Sequence, residues 1–325
     1  MSDLPLVLTR DGLRASGRGH DHGDRRVRNG LWVRAAPSTY VTGSVQLPDR
    51  VHAALAHTGP DAVVTGWAAC RALDLPYVRD GGAVPVLVPP GRRRVSTPYV
   101  RVLPTTRPPA WWRWHGDVRV AAPARSVVDA ARDLPDLRSV RALVLGAAGT
   151  VRLGDLREEL ETGAKARSKL CRQALADLEA GAASAPEAEV ADHAAAAARA
   201  GRLPPFLLNP DVLLDGRFLG RPDGWLLGVG LGWEVDSREH HAGEDAFERT
   251  LARSDRFLAG GLSLLHLTPR RVRALGAATG ELLVAAAAAR RASRTLEPVG
   301  LLVVPRGPLL PLSARRERPG RAPGA

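Results

Sequence analysis

Gly220 to His241 read GRPDGWLLGVGLGWEVDSREHH. Leu226 to Val235 read as a strand. Glu234 and Asp236 are two residues apart on it, so their side chains share one face. A hairpin between Asp223 and Glu234 brings Asp223 onto that same face. Three carboxylates at one end of a sheet repel one another, and a hard divalent cation relieves the repulsion because Mg2+ takes oxygen ligands. Such an ion polarises a phosphoryl oxygen, lowers the pKa of a bound water and offsets charge on a leaving oxygen. A carboxylate beside it orients the water as a general base. The chemistry expected of this stretch is phosphodiester hydrolysis with Mg2+ or Mn2+.

The flanking sequence reads as the rest of one α/β unit. Pro186 to Ala200 read as a helix with Pro in its first turn and the acids Glu187 and Glu189 behind it. Phe206–Leu208, Val212–Leu214, Phe218–Leu219 and Leu262–Leu267 read as strands, and 244–258 and 269–291 as helices. Arg253 and Asp255 read as charge pairs on a helix surface, and Glu239 and Glu244 as solvated acids. Residues 184–295 form this C-terminal unit, and a Pro/Gly/Arg-rich tail, 306–325, reads as a disordered basic segment.

Further upstream the pattern changes. Residues 1–45 read as a short helix capped by Thr9, a glycine-rich break, a second helix closed by Asn29-Gly30, and two short strands. That is the layout of a winged helix-turn-helix, with Arg25, Arg26, Arg28 and Arg34 as candidate DNA contacts; a small interdomain αβ piece has the same pattern. Residues 46–160 read as a middle α/β domain and 161–183 as a helical linker. Trp111, Trp112 and Trp114 offer stacking surfaces for nucleobases or the edge of a core. The fold class is therefore mixed α/β (α+β): a winged helix, a middle domain and a mixed sheet flanked by helices.

Composition narrows the classes. Lys and Arg total 46 against 34 Asp and Glu, a net charge of +12. Only Lys165 and Lys169 are lysines, so nearly all the positive charge is arginine, as expected of a nucleotide-composition bias. The field still favours polyanions. No apolar run reaches the roughly 20 residues a spanning helix needs. The opening MSDLPLVLTRDG has an early acid and a short apolar stretch, unlike a secretory signal. Two cysteines support neither a disulfide framework nor a thiolate zinc site. A cytoplasmic protein with DNA as partner and no membrane association is expected.

The motifs also carry a resemblance. Pro222-Asp223 followed by Glu234-Val235-Asp236 resembles the PD-(D/E)XK nuclease motif. "WEVDSREHH", then a charged helix, then "FLAGGLSLLHLT" is similar to an actinobacterial endonuclease-like domain of unknown function related to very-short-patch repair nucleases. "LTRDGLRASG…RRVRNGLWVRAAPSTYV" and "DAVVTGWAACRALDLP" resemble the AbiEi-type winged-helix region of type IV toxin–antitoxin antitoxins. The resemblance implies Asp223, Glu234 and Glu187 as metal ligands, with Glu189 the alternative to Glu187. It implies Asp236 in the position of the superfamily lysine and His241, or His240, as the histidine after the strand. It also implies a restriction-endonuclease-like sheet. The chain departs from it in having no lysine after Lys169, Ser237 for the turn glycine, Leu262 for an aromatic residue and His266 for an arginine. Two functions follow as expectations: a metal-dependent DNA endonuclease targeted by its winged helix, or a non-catalytic DNA-binding regulator of the antitoxin type with a degenerate nuclease-like domain and a cognate toxin as partner.

Overall fold

The structure, a computed structural model, describes residues 7–42, 46–91, 95–114, 118–236, 244–293 and 297–306. His240, His241 and the tail after Arg306 lie outside the described residues. The fold is mixed α+β, as expected. In chain order it runs β1 (Val7–Thr9), α1 (Arg10–Ala15), α2 (His22–Arg28), β2 (Val33–Ala36), β3 (Thr39–Val41), α3 (Leu47–Thr58), β4 (Val63–Val64), α4 (Gly66–Ala72), β5 (Val84–Val88), β6 (Val100–Pro104), β7 (Trp111–Trp114), β8 (Val118–Ala121), α5 (Pro123–Ala131), α6 (Leu137–Gly146), α7 (Leu153–Thr162) and α8 (Lys169–Glu179). It continues with α9 (Ala185–Arg199), β9 (Phe206–Leu208), β10 (Asp211–Leu214), β11 (Arg217–Gly220), β12 (Gly224–Leu226), β13 (Leu231–Val235), α10 (Glu244–Ala259), β14 (Ser263–Leu267), α11 (Pro269–Leu275), α12 (Ala278–Ala292) and β15 (Leu301–Val304).

Among the described residues the chain divides into two compact units, one comprising the residues up to Asp136 with Gly149–Cys171, the other Leu137–Ala148 with residues 172–306. This differs from the expected boundaries. Residues 1–45 and 46–136 share one unit, α6 belongs with the C-terminal unit, and the expected linker 161–183 is divided between the two.

In the first unit the Thr9 hydroxyl accepts from the Gly12 amide and starts α1, which satisfies one of the helix's orphan donors. Leu8, Leu13, Trp32 and Tyr40 bury together beneath α1 and α2. The expected two-stranded wing is a three-stranded sheet in the order β1-β3-β2. A second, five-stranded sheet has the order β6-β5-β4-β8-β7. Its edge strand β7 carries the tryptophans; Trp112 and Trp114 pack against the core of that sheet. Trp111 packs against a second cluster of that sheet, Val63, Leu87 and Ala121, so the core-edge reading holds for all three rings.

In the second unit β12 and β13 form an antiparallel hairpin, with Gly224 opposite Trp233 and Trp225 opposite Gly232. The single strand expected over 226–235 is thus two strands joined through a turn at 227–230. Strand β14 joins β13 in parallel, pairing Glu234 with His266, after the crossover through α10. The four-stranded sheet has the order β14-β13-β12-β9. Leu231, Trp233 and Val235 face one side and pack with Val190, Ala194, Leu267 and Leu283, a core filled by α9 and α12. Trp225 faces the other side, against Phe257 of α10, Val212 and Leu219. The period-two alternation therefore turns Gly232 and Glu234 toward the α10 side. The helix expected over 269–291 breaks at Gly276, whose φ of 51° ends α11, and the two helices meet at 103°. Strand β15, not anticipated from the sequence, pairs antiparallel with β10. Among the described residues no single helix is long and apolar enough to cross a membrane. Neither cysteine forms a disulfide, and both are buried.

Candidate metal centre and nucleic-acid interface

The carboxyl ends of β13 and β14 lie side by side, because parallel strands joined by a crossover helix end at the same edge of the sheet. In open α/β sheets ligands bind at such edges. Glu234 is the penultimate residue of β13, and Asp236 follows the strand with its amide still bonded to the Leu267 carbonyl at 2.8 Å. Asp223 precedes β12, so the hairpin register sets it across from Glu234. Its Oδ2 accepts from the Val235 amide at 2.6 Å. Asp223 thus lies at the same sheet end as Glu234 and Asp236, but among the described residues it is not in the group whose ligand atoms cluster.

Glu234, Asp236 and His266 each offer a ligand atom, and the three atoms lie within 4.8 Å of one another. This acidic and histidine group could hold a metal ion. His266 Nδ1 is 3.1 Å from Asp236 Oδ2 and 3.8 Å from Glu234 Oε2. Its Nε2 is 2.9 Å from the Ser254 hydroxyl of α10. Arg253, the preceding residue on that helix, places Nη2 2.9 Å from Glu234 Oε2. The Glu234 side chain is 4% exposed, whereas those of His266 and Asp236 are 33% and 37% exposed. The group therefore has a buried floor and an open rim.

Glu187 is placed differently from the other acids. Ser184 caps α9 by accepting from the Glu187 amide, while Glu187 Oε2 accepts from the Ala183 amide at 3.0 Å and from Asn209 Nδ2 at 2.9 Å. This is a variant of the capping box, and it commits that oxygen to holding the helix start. Glu187 still lies close enough to act electrostatically on Asp223. Burial chiefly, then the Glu187 charge and more weakly that of Glu234, push the Asp223 carboxyl up to about 8, although the Val235 amide and Arg253 pull it down. The His266 imidazole is raised, mainly by its hydrogen bond to Asp236 and further by Glu234. Glu189 lies away from the cluster and pairs with Arg138 at 2.5 Å.

Arg253, Ser254 and His266 are the participants that the sequence did not disclose. Arg253 was expected in a helix-surface charge pair with Asp255; it reaches the sheet and pairs with Glu234. Its spacing to Phe257, four residues on the same helix face, is the signal that could have found it, since Phe257 is fully buried. His266 stood out only as a departure from the resemblance. The parallel pairing of "WEV" with "LHL" puts it beside Glu234.

The candidate nucleic-acid contacts behave unequally. Arg25 and Arg28 are exposed on the last turn of α2. Arg26 lies 5.5 Å above the Trp32 ring. Arg34 donates to Asp24 at 2.6 Å and lies 5.9 Å from the Tyr40 ring; Asp24 also accepts from Arg10 and Tyr40. Arg34 is thus tied into an internal network that Arg25 and Arg28 do not join by any described hydrogen bond. The His22 imidazole is lowered by burial and by the charges of Arg18, Arg26 and Arg25, a measure of the positive field at this helix.

No family model matches the chain, and no curated protein matches it. Among solved structures it is similar to the crystal structure of the RV2827C protein from Mycobacterium tuberculosis, at 15% sequence identity and a TM-score of 0.38, covering 53% of this chain and 72% of that one.

Proposed function

We propose that this protein is a metal-dependent DNA endonuclease, a phosphodiester hydrolase of the PD-(D/E)XK type, docked on duplex DNA by an N-terminal winged helix. The observation that carries the reading is the convergence of Asp223, Glu234, Asp236 and His266 at one edge of a mixed sheet. Carboxylate oxygens and one imidazole nitrogen suit a divalent ion, Mg2+ or Mn2+ in the first instance. When bound, such an ion polarises the phosphoryl oxygen and acidifies a water. Asp223, raised to about 8, would act as general base toward a water at this edge only in its ionised form, so activity should rise as pH approaches and passes 8. Arg253 turns from Glu234 toward the scissile phosphate and supplies the positive charge that the missing lysine would give elsewhere. Arg25 and Arg28 on α2 hold the DNA backbone, fixing position without reading sequence.

The test is incubation of the full-length protein with supercoiled plasmid and Mg2+ or Mn2+. Nicking is expected. Asp223→Ala and Glu234→Ala should abolish it, and Arg253→Ala should slow it by about 10²–10³-fold, the cost of removing one charge-stabilising donor. Absence of nicking, or variants that nick like the wild type, contradicts the proposal. The missing lysine and the existing Arg253–Glu234 pair favour a second reading, a DNA-binding regulator of a type IV toxin–antitoxin system with an inert nuclease-like domain. That reading predicts salt-dependent binding to its own promoter and capture of a cognate toxin, with no nicking.

A further inference from the structure

The hydrogen bonds around His266 specify more than the presence of an ion. Ser254 Oγ stands between two partners, the Thr250 carbonyl at 3.1 Å and His266 Nε2 at 2.9 Å. A carbonyl can only accept, and a hydroxyl has one proton. Both contacts are satisfied together when the Ser254 proton goes to Thr250 and Nε2–H donates to Ser254 Oγ. This polarity is the reverse of a Ser–His–Asp nucleophilic triad, in which the serine proton points at Nε2. It leaves Nδ1 facing Asp236 Oδ2 at 3.1 Å and Glu234 Oε2 at 3.8 Å. In the metal-free protein Nδ1 meets these acceptors with a proton that it donates to Asp236; a divalent cation displaces that proton and takes the Nδ1 lone pair. Hydrogen bonding of the far ring nitrogen is what orients histidine ligands in metal sites.

We infer that Glu234, Asp236 and His266 Nδ1 select a divalent first-row transition ion of the Mn2+, Co2+ and Zn2+ series over Mg2+, and that Ser254 is the positioning residue that presents Nδ1 to it. The inference rests on the reading of this sheet edge as the metal centre of a hydrolase and deepens it. Mg2+ prefers oxygen ligands and keeps its waters. An imidazole nitrogen gains more from the later, softer ions, whose affinities rise along the series. The partly exposed faces of His266 and Asp236 give the ion an entry path, which a functional site requires.

The probe is Co2+ added to the full-length, chelator-treated protein, followed by its visible absorption, with Mg2+ as competitor. Co2+ should bind at least about tenfold more tightly than Mg2+, in keeping with the affinity order of nitrogen-containing sites. His266→Gln should erase the preference. Ser254→Ala should weaken Co2+ by about 10–100-fold while leaving Mg2+ nearly unchanged, and Ser254→Thr should restore the Co2+ affinity. In the wild type, Co2+ should shift one exchangeable imidazole N–H proton in the NMR spectrum, a readout that holds even if His266→Gln does not fold. Equal Co2+ and Mg2+ affinities, a preference that survives in folded His266→Gln, or no shifted N–H overturns the inference. Co2+ selectivity without plasmid nicking would remove only the hydrolase reading, and Mg2+-supported nicking without Co2+ selectivity only this one.

Discussion

Asp223 is an acid held in its neutral form by its surroundings. Burial and the neighbouring Glu187 and Glu234 raise it to about 8, against about 3.9 in an unfolded chain. Between those values the folded metal-free chain binds a proton that the unfolded chain does not, so its stability falls as pH rises from about 4 to 8 and levels off above that. His266, also raised, adds a loss in the same direction as pH rises through its folded pKa. Asp223→Asn separates the two contributions. It keeps an oxygen for the Val235 amide and removes the need for a proton. Thermal melts of the metal-free protein should show Asp223→Asn more stable than the wild type at pH 8 and close to it at pH 4. A variant less stable at pH 8 would contradict this account of the residue.

The β12–β13 hairpin sets the spacing of the acids, and it is built on reciprocal tryptophan–glycine pairs. A Cβ at Gly224 would sit 2.0 Å from Trp233 Cζ2, and one at Gly232 would sit 2.8 Å from Trp225 Cε3. Each indole lies over a glycine on the opposite strand, and both indoles are fully buried. Gly224→Ala should therefore destabilise the protein by about 1–3 kcal/mol or more through overpacking, as measured by urea denaturation. It should also weaken metal binding, because Asp223 is the adjacent residue. At this scale the sequence was legible where local chemistry dominates. Thr9 and Pro186 announced helix starts, Gly30 an end, and two carboxylates at i and i+2 one strand face. It was not legible where the outcome depended on distant partners. The glycines inside 226–235 were absorbed into one strand because the turn is visible only once Trp233 and Trp225 find their partners. Gly276 was absorbed into one helix, since an isolated glycine does not by itself end a helical pattern. Strand β15 is an edge whose partner β10 lies nearly ninety residues earlier. His266 joined the site through the parallel β13–β14 register, which no local pattern announces, and Arg253 through the packing of α10 by way of Phe257.

For the whole molecule, the net charge of +12 and the arginines of α2 bear on the proposed hold on DNA. Arg25, Arg28 and Arg34 are all exposed, but Arg34 is in addition tied to Asp24. Arg25→Ala and Arg28→Ala should each weaken binding similarly across DNA sequences and reduce the slope of log K against log salt by about one. Arg34→Ala should act mainly on the stability of the N-terminal fold. Fluorescence anisotropy at several salt concentrations distinguishes the two behaviours, and a slope unchanged in all three variants would remove α2 from the interface. The fold class was readable from hydrophobic periodicity, but the division into units was not. The sequence places α6 between segments of the first unit, and only its packing assigns it to the second.

The central claim, that one edge of the C-terminal sheet grips a divalent ion, is tested most directly by anomalous diffraction from crystals of the full-length protein grown with Mn2+. The account predicts a single strong peak bonded at about 2.0–2.2 Å by Glu234, Asp236 and His266 Nδ1, with Arg253 displaced from Glu234. No peak at this edge at saturating Mn2+, with Arg253 still seated on Glu234, would contradict it.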